Sequence, residues 1–247
     1  MKVTFLGTNG WYNTETGNTP CVLVETAGYY IIFDAGDGLY KLDRYITSEK
    51  PIYLFLSHFH LDHISGLHIL NKFRFEQVIR VYGQEGTRKY LRCLIARPFS
   101  SPINQLPVKL SIRELTEGVH RLPFRVTCRR LRHADSCFGF RIELAGKVLA
   151  YCTDTGICDN SLLLAQNADM LIHDCAENAK QRTTKWPHAV PSEAAELARK
   201  AKVRQLVLFH FSAAAYPSIA DRKEAEADAR SIFTNTVAAM DGMQLNV

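Results

Sequence analysis

The chain has 247 residues, 47% hydrophobic and 22% charged, with a formal net charge of +5. That length supports one substantial core, so a single unit over 1–247 is expected, and the lack of any apolar run of about 18 residues excludes a membrane-spanning helix. Seven cysteines without a Cys-x-x-Cys pair fit neither a disulfide framework nor a cysteine metal site, and with no apolar leader before Gly7 they point to a reducing, cytoplasmic setting.

In chain order, strands are predicted at 3–6, 21–25, 29–33 and 52–56, punctuated by Gly7, Gly10, Gly28 and Gly36. Helical periodicity follows over 64–70, then a strand at 78–82 and a helix over 87–95. The segment 97–107 holds Pro98, Pro102 and Pro107 among serines and is expected to be a loop, the best candidate for a mobile flap over a site. Strands at 124–131, 138–144, 148–152, 170–172 and 206–209 follow, with helices over 192–202 and 223–233. Two β-rich halves with outer helices imply an α/β sandwich. Residues 71–132 carry 14 Lys and Arg against four Glu, which reads equally as a solvated face or as a field for a phosphate-bearing substrate.

The sharpest signal is His58-Phe59-His60-Leu61-Asp62-His63, directly after the apolar run at 52–56. A buried strand that ends in imidazoles and a carboxylate places ligands at a rigid sheet edge. In extended backbone His58 and His60 point the same way and can grip one ion. Asp62 and His63, on the turn into the next helix, can grip a second, and this donor set suits zinc, with manganese or iron as alternatives. His133, Asp154, Asp174 and His210 each stand at the end of an apolar strand, which puts further acids and imidazoles on one rim. His68, His120 and His173 are isolated and read as ordinary histidines.

With Phe5-Leu6-Gly7-Thr8, Phe33-Asp34-Ala35-Gly36 and Leu208-Phe209-His210-Phe211-Ser212 added, the chain resembles the metallo-β-lactamase superfamily, and within it the ribonuclease Z-like branch. The resemblance implies a four-layer αββα sandwich. It implies two divalent ions: His58, His60 and His133 hold one, Asp62, His63 and His210 the other, and Asp154 bridges them. His188, opening His188-Ala189-Val190-Pro191-Ser192-Glu193, stands where the family's leaving-group histidine does. Asp174 stands where a glutamate orients that histidine, one methylene shorter.

On this expectation the chain is a hydrolase of a phosphodiester in a nucleotide or RNA. Two ions about 3.5–4 Å apart activate a water and clamp the phosphoryl oxygens, Asp62 orients the water or takes its proton, and His188 protonates the departing oxygen. The long arm that grips transfer RNA, usually inserted between the third and fourth metal motifs, is missing between His133 and Asp154, which favours a smaller phosphodiester. A lactone, thioester or β-lactam hydrolase on the same scaffold, and a non-catalytic nucleic-acid-binding protein, are the competing readings. Members of the branch are often homodimers.

Overall fold

The computed structural model describes residues 1–178 and 186–247. Its central strands are apolar on both faces because alternate residues serve different layers. Phe33, Phe55, Tyr151 and Phe209 pack in one cluster between two sheets. Their strand neighbours Ile32 and Leu54 belong to a second cluster on one outer face, and Ala150 and Leu208 to a third on the other. The inner layer is rich in ring contacts, with Phe33 stacked on Tyr151 at 4.7 Å and Phe55 tilted against Phe140 at 5.4 Å between centroids.

Each sheet has seven strands. The first runs in the order Gln244–Asn246, Lys2–Gly7, Cys21–Glu25, Tyr30–Phe33, Ile52–Phe55, Ile79–Gly83, Leu110–Glu114. The second runs Thr236–Ala238, Gln205–Phe209, Met170–Asp174, Lys147–Cys152, Phe138–Leu144, Arg125–Arg130, Gly118–Arg121. In each sheet four adjacent strands pair in parallel, and their carboxyl ends share one rim. Thr87–Leu94 is the longer of two described α-helices in the first half, while Asp159–Ala165, Pro191–Ala201 and Ile219–Arg230 cover the second sheet. This is the expected αββα sandwich. Among the described residues no helix is long and apolar enough to cross a membrane.

Three local expectations change. The helix expected at 64–70 is a single α-turn, Leu61–Ile64, followed by a 3-10 stretch, Ser65–Lys72. The Gly66 N–H is drawn out of a helical ladder to the Ala35 carbonyl at 2.9 Å. The late helix begins at Ile219, because Ser218 and Asp221 cap its start reciprocally, at 2.9 and 3.3 Å. The proline-rich segment 97–107 is tied down: Ile103 and Leu106 pack against the outer apolar cluster of the first sheet, and the Ser100 hydroxyl donates to the His68 carbonyl at 3.1 Å.

Candidate metal centre

The rim of parallel strand ends collects the polar residues. His58 follows Ile52–Phe55, His133 follows Arg125–Arg130, Asp154 follows Lys147–Cys152, Asp174 ends Met170–Asp174, and His210 follows Gln205–Phe209. Backbone packing fixes the turn that carries Asp62 and His63. The Ala35 N–H donates to the His63 carbonyl at 2.8 Å, and a Cβ at Gly36 would stand 2.2 Å from the Asp62 carbonyl oxygen, a contact only glycine permits. Gly10 plays the same part beside His210, where a Cβ would meet the ring Cε1 at 2.7 Å. Asp34, Asp154 and His210 all adopt left-handed backbone, at φ of 57, 55 and 61°. Such conformations persist where the surroundings over-determine them.

Among the described residues three overlapping sets of potential ligands converge: His58, His60, His133 and Asp154; Asp62, His63, Asp154 and His210; and Asp154, Asp174, His188 and His210, each with donor atoms within 4.8 Å of one another. Asp154 belongs to all three, and the first two are the sets expected from the sequence. Its carboxylate lies 3.1 Å from His58 Nε2, 3.2 Å from His63 Nε2, 3.3 Å from His133 Nδ1 and 3.6 Å from His210 Nε2. Yet His58 Nε2, His133 Nδ1 and Asp154 Oδ1 are buried without a hydrogen bond of acceptable geometry. A buried polar atom left in that state costs about 1–3 kcal/mol. Several of them aimed at one another are what a cation would satisfy, and imidazole plus carboxylate suits a divalent one.

The ligand rings are held in the tautomers that coordination needs. Asp34, fully buried, accepts from His63 Nδ1 at 2.8 Å, the Ser57 hydroxyl at 2.9 Å, the Ser57 N–H at 2.7 Å and the Tyr151 hydroxyl at 2.8 Å. The Ser57 hydroxyl in turn accepts from His58 Nδ1 at 3.0 Å. One carboxylate thus holds the proton of two imidazoles on Nδ1 and leaves both Nε2 atoms free to ligate. His60 is reversed: its Nε2 donates to the exposed Asp135 at 2.8 Å, and its Nδ1 approaches His133 Nε2 at 3.3 Å. The Trp11 N–H donates to Asp62 at 2.9 Å.

Asp174 and His188 meet. His188 Nδ1 lies 3.1 Å from the Asp174 carboxylate, so the shorter side chain reaches. The same oxygen lies 3.2 Å from His210 Nδ1, and the other accepts from the Ala176 and Ala189 N–H groups at 3.1 and 2.9 Å. Asp174 therefore braces a ligand and the neighbouring histidine together.

Burial works against charge throughout the cluster, and neighbours decide the outcome. Against burial, Asp62 and Asp34 push His63 up to about 10. Burial, with His58 and His60 beside it, drives His133 down to about 4. Asp154 is held well below the ordinary carboxylate range by the imidazoles around it, despite full burial. His188 is raised, its burial outweighed by Asp174 and Asp154. A cation ligated through His63 Nε2 would displace the one proton that this shift keeps there, while Asp34 retains the other on Nδ1.

His68 and His120 bond nearby carbonyls outside the cluster, and His173, one residue from Asp174, is buried with its Nδ1 on the Asp174 carbonyl. All seven cysteines are free, and five of them are buried. Cys137, Cys152 and Cys175 all pack in the outer apolar cluster of the second sheet, and the Cys137 thiol lies 3.9 Å from His58 Nδ1. Sequence reasoning missed Asp34, Ser57, Tyr151, Asp135 and Cys137 as parts of this site. Phe33-Asp34-Ala35-Gly36 was the available signal for the first.

A family model described as a beta-lactamase superfamily domain matches residues 29–211. A ribonuclease Z of Haloarcula marismortui is 27% identical over 308 aligned positions, covering 100% of this chain and 97% of the relative. The metallo-beta-lactamase fold protein YhfI of Bacillus subtilis superposes with a TM-score of 0.83 at 24% identity, over 99% of this chain and 98% of that one. The short form of human tRNase Z superposes at 0.78 and 22% identity, over 100% and 99%. These two share the fold. With a matching family model over most of its length, the chain belongs to the beta-lactamase superfamily.

Proposed function

We propose that the chain is a dinuclear metal-dependent phosphodiesterase of the ribonuclease Z-like kind, with His58, His60, His133 and Asp154 holding one ion and Asp62, His63, His210 and Asp154 the other. The observation that carries this is the pair of four-residue sets sharing Asp154, with His188 3.3 Å from the same carboxylate. Zinc suits the imidazole-rich donor set. Ions there supply charge for the phosphoryl oxygens and lower the pKa of a water. The chain's own groups do the rest. Asp62, its carboxylate 3.5 Å from both the His63 and His210 rings, is placed to orient the water or take its proton. His188 carries the proton for the departing oxygen, and Asp174 keeps its ring turned to the site.

The relatives named ribonuclease Z support phosphorus rather than carbonyl as the centre attacked. The substrate is a nucleotide-sized phosphodiester or short RNA. Residues 138–152 fill the span between His133 and Asp154 with two paired strands, and the 308-position alignment exceeds this 247-residue chain, so the relative carries insertions missing here. Elemental analysis of purified protein should find two zinc ions per chain, and chelation should abolish hydrolysis of phosphodiesters. His188→Ala should slow esters with poor leaving groups at least tenfold more than an activated aryl ester. Equal losses on both would remove the proposed role of His188, and full activity after chelation would remove the whole proposal.

A further inference from the structure

A groove of about 970 Å³ opens beside the ligand cluster, lined by His60 and Asp135 at the site and by Tyr90, Lys89, Arg92 and Arg130 beyond it. Its size is at the upper end for a small-molecule pocket. Its charge is balanced: the lining carries Arg88, Lys89, Arg92 and Arg130 against Glu85, Glu114, Glu117 and Asp135, and Arg130 faces Glu117 at 3.7 Å. A track for a long polyanion would carry a surplus of cations. This groove suits a flat, uncharged group attached to one phosphate.

Its aromatic floor points the same way. Tyr90 is 45% exposed, although its ring packs on Phe59, the residue between His58 and His60, at 4.8 Å. Tyr90 thus presents a half-exposed ring inside the groove, on which a planar group can stack. Resting on the phosphodiesterase reading above, we propose that the groove seats the nucleoside of the substrate next to the scissile phosphate, with its base stacked on Tyr90.

The test compares two esters with the same leaving group, thymidine 5′-(4-nitrophenyl) phosphate and methyl 4-nitrophenyl phosphate, on the zinc-loaded enzyme. Wild type should favour the nucleoside ester in kcat/KM. Tyr90→Ala should reduce that preference about tenfold through KM, within the range of base–aromatic stacking, and Tyr90→Phe should keep it. No preference in wild type, or an unchanged ratio in Tyr90→Ala with an unaltered melting temperature, overturns the subsite. If neither ester is hydrolysed, the phosphodiesterase reading fails on its own. Calorimetric titration with thymidine 5′-monophosphate then decides the groove: a Kd about tenfold weaker in Tyr90→Ala supports it, and absent or unchanged binding overturns it.

Discussion

Asp34 is the residue whose replacement should do most damage without touching a ligand. Its two oxygens accept four hydrogen bonds at 2.7–2.9 Å, three of them on Oδ2. Asparagine is nearly isosteric but offers one acceptor oxygen. If that oxygen takes the Oδ2 place, the amide N–H faces the Ser57 N–H; in the other orientation it faces three donors. At least one buried donor loses its partner, which costs about 1–3 kcal/mol. For a chain of this size that is a melting-temperature drop of about 2–12 °C in the metal-free protein. The second effect is on the metal. An amide donating to His63 Nδ1 moves the ring proton to Nε2, and loosening Ser57 frees His58 to do the same. Loss of such a supporting contact lowers metal affinity about 10–100-fold. Competition against a chromophoric chelator measures that loss, and calorimetry of the metal-free protein measures the other. An Asp34→Asn protein with zinc affinity within about twofold of wild type would refute the role assigned to Asp34.

Gly10→Ala puts a methyl group 2.7 Å from the His210 ring. It should cost one of the two zinc ions while leaving the other, as read by elemental analysis after dialysis; two retained ions would mean the ring can yield. Because His63 rises from an ordinary value near 6.5 to about 10, it is protonated at neutral pH without metal. Zinc binding should then release protons, seen as a buffer-dependent heat, and affinity should climb with pH between about 6.5 and 10. The same shift stabilises the metal-free fold fully below pH 6.5 and loses that contribution as pH rises through 10. A buffer-independent heat would contradict this. Arg222 is completely buried, donating to Thr8 Oγ1 at 2.8 Å, to the Ala239 carbonyl at 3.2 Å and to Asn9, over the Phe211 ring at 4.7 Å. Arg222→Met should lower stability by about 3 kcal/mol, or roughly 6–12 °C, in a thermal melt of the zinc-loaded protein; an unchanged melt would show that the methionine satisfies the pocket equally well.

The ligands were legible because their types cluster or recur at strand ends, and the central strands because two-sided burial makes them continuously apolar. Edge strands gave no such signal. Leu110–Glu114 and Gly118–Arg121 are half-exposed and polar, and their assignment comes from pairing with Ile79–Gly83 and Arg125–Arg130. Asp34 was unreadable for a different reason: its partner Tyr151 lies 117 positions away, and a lone aspartate in a turn looks like any other. The proline content of 97–107 signalled irregular backbone, but irregularity says nothing about where a loop packs. Asp174 could be placed by analogy, while its reach to both His188 and His210 depended on how far the Ala189 backbone approaches it.

The two halves of the chain contribute unequally to what surrounds a substrate. The first supplies His58, His60, Asp62 and His63 from one sheet, and the second supplies His133, Asp154 and His210 from the other. A cation pair held there would rivet the two sheets along their common edge, while Met1 and Val247 are joined separately on the first sheet. Segments emerging from that edge could therefore be lengthened or exchanged without disturbing such a rivet, so that the surroundings of the site can change while its ligands stay in place.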